Sequence, residues 1–442
     1  MEIAEIKFRN NIMVTGVTQI LTVFCQFLIS IILARGLSVQ GRGVFSLALL
    51  VPGLFLTFVS FGLGESTAYL LGKDRYPRDK IIGCLNLYLL LLVGISALIY
   101  YSPAQLILDI LNHNIGKQLF YISFLIIPIS LCWGGYASVL LAFGKVKQVG
   151  VGRLVNNLLF LFLCLILFNI FKPIPQIAII IFILAGMMEI FFVLHFIKKY
   201  TKIGFCFNKN IMKDQIRFGL KYFLGGVFAN ISRRMDAVFV NFFIGTYGLG
   251  IYAIAVGLNE FLLNIPNVFC RVAFSSAVVS NDNKSFSIAT KSIRQSMFLL
   301  VISAIPLGLF LKDIINVFYT TKFAEALIPG LVLLPGIIAF GLSMIISYNL
   351  TGYGKPEEGT KAMGISCIFT IILDLLLIPR FGIVGASLAS TISYAGGAIY
   401  LLIVYKRFSQ RSISEILLIK KEDIREYFSE LHRLTALVKS KI

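Results

Sequence analysis

The stretch Asn230-Ile231-Ser232-Arg233-Arg234-Met235-Asp236 decides the fold, because it places charge in the middle of an apolar run from Phe218 to Ile244. That run is long enough to cross a bilayer as a helix. A charged side chain at the bilayer centre costs about 2.5–3.5 kcal/mol or more, unless it faces a wet cavity or a partner. The stretch therefore predicts a membrane helix beside a hydrated, partly cationic interior.

A second apolar run follows the short turn Gly245-Thr246-Tyr247-Gly248-Leu249-Gly250. So short a turn predicts that the two helices are antiparallel neighbours. The second helix carries Glu260, Asn264, Asn267 and Arg271 at i, i+4, i+7 and i+11, which an α-helix places within about 60° of arc. We predict that this polar stripe lines a substrate cavity, or that Arg271 pairs with Glu260 in a purely structural role.

On the first helix, Arg234 shares a face with Asn230 and Asn241, which lie at i−4 and i+7. Arginine suits phosphate because its planar guanidinium donates hydrogen bonds in pairs, and asparagine suits sugar hydroxyls. We predict that these residues and Arg233 contact the substrate. The alternative for Arg233 is a structural ion pair with Asp236 at i+3.

The composition is that of a polytopic α-helical membrane protein. Of the 442 residues, 58% are hydrophobic and 14% are charged, against about 25% charged in soluble domains. The first apolar stretch is long enough to span and stay, so no cleavable signal peptide is expected. The predicted spans are 11–33, 43–70, 81–101, 118–143, 151–171, 175–197, 218–244, 250–280, 295–319, 327–352, 360–379 and 383–405.

The formal net charge is +19, and in a membrane protein the distribution of this positive charge among the loops indicates topology rather than nucleic-acid binding. With the N-terminus inside, the cytoplasmic segments hold 29 Lys and Arg residues and the outer loops hold 7. The sequence therefore predicts a multi-pass membrane protein with both termini cytoplasmic.

Two short motifs recur at nearly one offset. Residues 43–48 match residues 250–255 as Gly-apolar-aromatic-small-apolar-Ala, and Ala142-Phe143-Gly144-Lys145 matches Gly352-Tyr353-Gly354-Lys355. A basic segment at 198–213, here called the connector, lies near the midpoint. These features predict an internal duplication of six spans each, related as parallel repeats.

The predicted domains are an N-terminal six-helix lobe with the connector (1–213), a C-terminal six-helix lobe (214–405) and a cytoplasmic tail (406–442). The tail has an amphipathic pattern typical of a helix lying on the inner leaflet; the alternative is a loosely ordered solvated tail. That pattern consists of Ile424, Phe428, Leu431, Leu434 and Val438.

Other polar residues within the spans are candidates for the same cavity or for ion coupling. Gln19, Thr22, Gln26 and Ser30 share a face of the first helix, and they either line the cavity or hydrogen-bond neighbouring helices. Isolated acids within spans or at their ends are typical of cation or proton sites. The candidates for coupling to Na⁺ or H⁺ are Glu65, Glu189, Asp236, Glu260 and Asp374.

Several function classes are not expected. The sequence contains no phosphate-binding loop of the ATPases, no paired CxxC and no histidine spacing of a metal site. We expect no cofactor, no metal and no enzymatic activity.

Three stretches resemble the Wzx-type polysaccharide flippases, those for O-antigen and capsule, of the multidrug/oligosaccharidyl-lipid/polysaccharide exporter superfamily. They are Ala34-Arg35-Gly36-Leu37 through Gly43-Val44-Phe45, Arg234-Met235-Asp236 followed by residues 250–255, and Pro379-Arg380-Phe381-Gly382-Ile383-Val384-Gly385-Ala386. One departure is Asp374, where that family is expected to have Asn.

The resemblance implies an all-α fold of twelve transmembrane helices in two six-helix lobes, similar to the multidrug (MATE) transporters. It also implies alternating-access export of an undecaprenyl-pyrophosphate-linked oligosaccharide across the bacterial inner membrane. The implied partners are that lipid-linked substrate, membrane lipids, Na⁺ or H⁺, and the polysaccharide polymerase machinery. The alternatives are a cation-coupled multidrug antiporter, a peptidoglycan-precursor flippase, or a membrane polymerase or glycosyltransferase, which should have long outer loops with carboxylates.

Overall fold

The computed structural model describes residues 2–73, 75–101, 116–270, 283–420, 423 and 425. The regular elements in these ranges are helical, as the long apolar runs require, since a helix satisfies its backbone hydrogen bonds internally in lipid. The α-helices are α1 (Glu2–Gly36), α2 (Val39–Val59), α3 (Leu63–Gly72), α4 (Arg78–Tyr101), α5 (Lys117–Ser123), α6 (Ile126–Ala142), α7 (Val146–Ile170), α8 (Pro175–Ile197), α9 (Lys209–Ile244), α10 (Thr246–Glu260), α11 (Asn283–Ile314), α12 (Leu327–Gly352), α13 (Pro356–Ser409) and α14 (Ile413–Leu417).

Ten helices in the described ranges are long and apolar enough to cross a membrane. One of them is α13, which contains both of the last two predicted spans. The predicted span 218–244 lies in α9, whose charged centre distinguishes it from those ten. The prediction of a polytopic, all-helical membrane protein is confirmed.

One predicted span contains a backbone break, and a second break lies between the last two predicted spans. The span predicted at 43–70 consists of α2 and α3, separated at Phe61 (φ 44°) and Gly62 (φ 64°). There the backbone of Gly219 in α9 lies so close that a Cβ on Gly62 would be 3.0 Å from the Gly219 Cα. In α13 the backbone leaves helical geometry at Gly382 (φ 59°, ψ −140°), a conformation that favours glycine.

The chain forms two compact units. The first holds the described residues up to Ile254 together with Ile315–Ala326 and Ile378–Ile383; the second holds Ala255–Ile314, Leu327–Leu377 and the described residues from Val384 onward. In the first unit α1 packs along α7, α7 along α8, and α3 along both α6 and α9. The division into lobes at 1–213 and 214–405 stays a prediction.

The second unit has its own apolar core between α11, α12 and α13. Leu300, Ile345 and Leu401 are fully buried there. The two halves of α13 pack against each other, with the Ser366 hydroxyl donating to the Ser393 carbonyl oxygen at 3.0 Å.

The glycines that begin the two repeat motifs lie in contact within the first unit. A Cβ on Gly43 would overlap the carbonyl oxygen of Thr246 and lie 3.0 Å from the Gly250 nitrogen, and a Cβ on Gly250 would overlap the carbonyl oxygen of Val39. The start of α2 therefore crosses the start of α10 backbone to backbone, which only glycine permits at both positions.

The chain after α13 folds back onto α11. A capping box between Ser412 and Glu415 begins α14, and the buried Arg294 of α11 binds both oxygens of Asp423 at 2.8 and 3.0 Å. Arg294 also donates to the Glu415 carbonyl oxygen at 3.0 Å. The residues of the predicted amphipathic tail pattern (Ile424, Phe428, Leu431, Leu434 and Val438) lie outside the described residues.

Candidate functional site

The charged centre of α9 lies in the first unit and ends at a buried carboxylate. Asp236 is 3% exposed and accepts a hydrogen bond from the hydroxyl of Tyr252 in α10 at 2.6 Å. Its other oxygen accepts from the Ala237 backbone nitrogen at 2.6 Å. A buried carboxylate needs such donors, because an unsatisfied buried charge is very costly. This bond joins the two helices whose antiparallel arrangement the short turn predicted.

The two arginines at the centre of α9 lie three and two residues before this carboxylate. Arg233 and Arg234 are partly buried, follow the fully buried Ser232, and interact with other groups of the protein. They lie well inside the 36-residue helix α9, which ends at Ile244. A partly buried guanidinium can bind a phosphate in a low-dielectric setting, where charge-assisted hydrogen bonds are strong.

The asparagines on the same face of α9 differ in their hydrogen bonding. The Asn230 amide nitrogen donates to the Gly226 carbonyl oxygen one turn earlier, at 3.2 Å. The Asn241 side chain is fully buried, and neither of its amide atoms has a hydrogen-bond partner among the described residues. A buried polar group without a partner costs about 1–3 kcal/mol. Asn241 is therefore the residue on this face that gains most from a polar ligand.

The predicted stripe on the second helix is interrupted. A 3₁₀ turn at Phe261–Leu263 follows α10, before helical residues 264–270. Such a turn advances about 120° per residue instead of the 100° of an α-helix. The predicted 60° arc for the side chains of the stripe is therefore wrong, and they spread over about 100° instead. The Asn264 amide donates to the Phe261 carbonyl oxygen at 2.9 Å. Asn267 is exposed, and Arg271 lies outside the described residues.

The polar residues predicted to share one face of α1 differ in their exposure and hydrogen bonding. Gln19 is partly buried and Gln26 is exposed. Thr22 is buried, and Ser30 accepts a hydrogen bond from the Tyr319 hydroxyl at 3.3 Å. Ser30 therefore has the structural role that was the alternative for this face.

The five candidate acids fall into different environments. Asp374 in α13 is fully buried, and Glu189 in α8 is 8% exposed. One Glu189 oxygen has no hydrogen-bond partner in the described part of the chain, while the nearby Arg153 stacks over the Trp133 ring at 4.6 Å. Glu260 is partly buried, and Glu65 is exposed in the first turn of α3.

In the sequence, Arg35 stands out only as part of a stretch that resembles the flippase family, and the structure gives its side chain specific contacts. Its guanidinium donates to the carbonyl oxygens of Phe318, at 2.9 Å, and of Val317. Those carbonyls belong to a π-helical turn, Ile315–Tyr319, and π-turns are frequent at functional sites. Phe27 packs edge-on against Phe318 with ring centroids 5.5 Å apart. No local sequence signal links residues that are 282 and 283 positions apart.

Asn259 is a second residue whose role the sequence did not reveal. Its buried amide nitrogen donates to the carbonyl oxygens of Ala255, at 2.9 Å, and of Gly330, at 3.0 Å. These bonds link α10 to α12 within the second unit. In sequence, Asn259 directly precedes Glu260, the first residue of the predicted stripe.

Comparison with known proteins shows similarity over most of the chain. The model of a family described as "Polysaccharide biosynthesis protein" matches residues 8–279. The chain is 22% identical over 404 residues to the capsular polysaccharide biosynthesis protein CapF of Staphylococcus aureus, covering 88% of this chain and 97% of CapF.

Two archaeal relatives match over a shorter length. The uncharacterized membrane protein MJ1068 of Methanocaldococcus jannaschii is 23% identical over 267 residues, and the match spans 55% of this chain and half of the relative. The probable low-salt glycan biosynthesis flippase Agl15 of Haloferax volcanii is 23% identical over 192 residues, or 42% of this chain and 40% of Agl15.

Solved structures share the fold. The lipid II flippase MurJ in an inward closed conformation superposes with a TM-score of 0.74 at 18% identity, covering 97% of this chain and 93% of MurJ. An inward-facing multidrug resistance MATE transporter superposes with a TM-score of 0.71 at 13% identity, covering 88% and 96%. The MATE-like fold that the resemblance implied is confirmed.

Proposed function

The chain belongs to the polysaccharide biosynthesis protein family, and from this we propose that it is a flippase for an undecaprenyl-pyrophosphate-linked oligosaccharide. It is a membrane transporter of polysaccharide precursors and not an enzyme. The proposed step is movement of one repeat unit from the inner to the outer leaflet of the bacterial inner membrane, by alternating access, for surface polysaccharide synthesis.

The charged centre of α9 carries this proposal. A pyrophosphate-linked glycan is anionic and hydrated at one end and hydrocarbon at the other. To cross the membrane, its head group must exchange water for fixed donors. Arg233 and Arg234 supply donors at mid-helix, and Asp236 with Tyr252 holds α9 and α10 together beside them.

The glycan part requires hydroxyl-binding groups near these arginines. Asn241 suits this role, because its buried amide has both a donor and an acceptor without partners in the described residues. Asn230, Asn264, Asn267, Gln19, Gln26 and Arg271 remain proposed contacts. We propose the buried acids Glu189, Asp236 and Asp374 as sites of Na⁺ or H⁺ coupling ahead of the exposed Glu65. Glu260 is partly buried and is an intermediate candidate.

Transport of a defined lipid-linked glycan in proteoliposomes tests the proposal. Arg234→Ala and Arg271→Ala should each abolish flipping while the protein still inserts. Arg234→Lys should recover only part of the activity, because lysine keeps the charge and loses the paired donors. The matched control is Arg217→Ala, since Arg217 is an exposed arginine near the start of the same helix.

Full activity of both alanine variants at normal expression would show that these arginines are structural. Running the assay with and without a Na⁺ or H⁺ gradient tests coupling, and neutralising each buried acid in turn locates it. Transport of a multidrug substrate or of a peptidoglycan precursor, without transport of the oligosaccharide, would favour the alternatives.

A further inference from the structure

The connector at 198–213 is held against α4 by three hydrogen bonds. The Asp79 carboxylate at the start of α4 accepts hydrogen bonds from the Thr201 hydroxyl and, at 3.2 Å, from the Lys202 backbone nitrogen. Further along, the Asn86 amide donates to the Gly204 carbonyl oxygen at 2.7 Å. This part of the connector therefore has a defined surface.

The same attachment directs two large apolar side chains outward. Cys206 packs so closely on α4 that a Cβ atom added to Gly83 would lie 2.6 Å from the Cβ atom of Cys206. The residues on either side, Phe205 and Phe207, are 70% and 76% exposed. Because the backbone between them is fixed, these aromatic rings stay outside the protein core.

Positive charge surrounds the two rings. Residues 198–213 contain five lysines and no Asp or Glu. The acids nearest to the connector are already engaged, since Asp79 binds the connector itself and Asp214 accepts from the Tyr76 hydroxyl at 2.9 Å. The surface of the connector is therefore both strongly basic and apolar.

An open groove of about 710 Å³ lies on the lysine-rich side of this surface. Its lining includes two lysines and a tyrosine, Tyr200, and the Lys145 ammonium group stacks over the Tyr200 ring at 4.7 Å. The groove is lined by Asp79, Lys198, Tyr200, Thr201, Lys202 and Ile203. Phe205 and Phe207 lie three and five residues beyond Lys202, so extended backbone would place them within about 10–18 Å of it.

We propose that the connector is a binding site for an anionic phospholipid, with the phosphate in the groove and the acyl chains against Phe205 and Phe207. The connector joins α8 to α9, so it lies where membrane helices meet the surface of the bilayer. Basic side chains are attracted to anionic leaflets, and exposed aromatic rings favour the interface. The assignment to the inner leaflet rests on the proposed topology, but binding itself does not.

Lipid retention by the full-length protein tests this site. The protein is exchanged into mixed micelles with phosphatidylglycerol or phosphatidylcholine, and the retained lipid is measured by mass spectrometry. Wild type should retain phosphatidylglycerol preferentially. Lys198→Gln/Lys202→Gln should lower that retention about tenfold or more, because each lysine contributes roughly a fivefold factor near an anionic surface.

Two further variants separate the parts of the site. Phe205→Ser/Phe207→Ser should lower retention while leaving the elution volume of the protein unchanged. Lys147→Gln is the control, because Lys147 is an exposed lysine outside the groove lining, and it should retain lipid as wild type does. If the phenylalanine variant fails to fold, the lysine variant and its control still decide the question.

Unchanged phosphatidylglycerol retention in the lysine variant would overturn the proposal, as expected if the connector binds an acidic protein instead. Inorganic phosphate distinguishes a free anion from a lipid. If phosphate raises the thermal midpoint of the protein as much as phosphatidylglycerol does, the groove is a simple anion site and the lipid proposal is wrong. Glycan transport is not the readout, so failure of the proposed function leaves the test intact.

Discussion

At the residue scale, the centre of α9 depends on one buried hydrogen bond between helices. Asp236 is 3% exposed and accepts from Tyr252 at 2.6 Å. The exposed Tyr247, on the same helix α10 as Tyr252, donates to Glu325 at 3.3 Å. Among the tyrosine–carboxylate hydrogen bonds of the described residues, these two both start from α10 and differ in burial.

We expect Tyr252→Phe to lower the free energy of unfolding by about 1.5–3 kcal/mol, as is typical for a hydrogen bond to a charged group. Tyr247→Phe should cost less than about 1 kcal/mol, because water replaces its hydroxyl. Thermal unfolding in detergent measures both. Equal effects would show that burial does not strengthen the Asp236 bond. Glycan transport of Tyr252→Phe then reports whether this bond also positions the arginines.

At the element scale, the glycine crossing fixes how α2 meets α10. Gly43→Ala should destabilise the protein by about 1–3 kcal/mol, because the added methyl group overlaps the backbone of Thr246, which cannot rotate away. Gly53→Ala on the same helix is the matched control, because nothing lies within 4 Å of its Cβ position. That control should be neutral or stabilising by up to about 1 kcal/mol, since alanine favours helix. Equal unfolding temperatures for the two variants would contradict the crossing.

A second contact at this scale is the ion pair between α11 and the segment after α14. Burial raises the pKa of the Asp423 carboxyl, but the hydrogen bonds from Arg294 and the Lys420 backbone nitrogen outweigh burial and hold the pKa below its ordinary value of 3.8. A carboxyl with a lowered native pKa stabilises the fold above its unfolded pKa, and this contribution is lost as the pH falls through the native value.

We therefore expect proteolysis after α14 to accelerate as the pH falls below about 4. Asp423→Asn should be cleaved faster at neutral pH and should lack this pH dependence, since breaking a buried pair costs about 3–5 kcal/mol. Lys361→Gln is the control, because it removes a pair that is more than half exposed on the lysine side. A flat pH profile for wild type would argue against the ion pair as the attachment of this segment.

At the scale of the whole molecule, the charge of the loops predicts which side of the membrane each loop faces. The distribution of 29 Lys and Arg residues on one side and 7 on the other predicts cytoplasmic termini and a cytoplasmic connector. Reporter fusions at residues 75, 205 and 410 should all report the inside. An outside signal at residue 205 would contradict the two-lobe arrangement and would move the proposed lipid site to the outer leaflet.

The sequence by itself determined the class of the fold, because membrane-spanning helices are recognised from local runs of apolar residues whose length matches the bilayer. It also identified α9 as the polar helix, since charge inside such a run is costly and conspicuous. The stripe from Glu260 to Arg271 was predicted from uniform α-helical spacing, and the 3₁₀ turn at Phe261–Leu263 interrupts that spacing in a way that residue order alone does not reveal. The tertiary structure alone decided that Tyr252 binds Asp236, that Arg35 holds a turn 282 residues away, and that Gly43 meets Gly250. Such contacts depend on the packing of distant segments, which no local pattern of residues specifies.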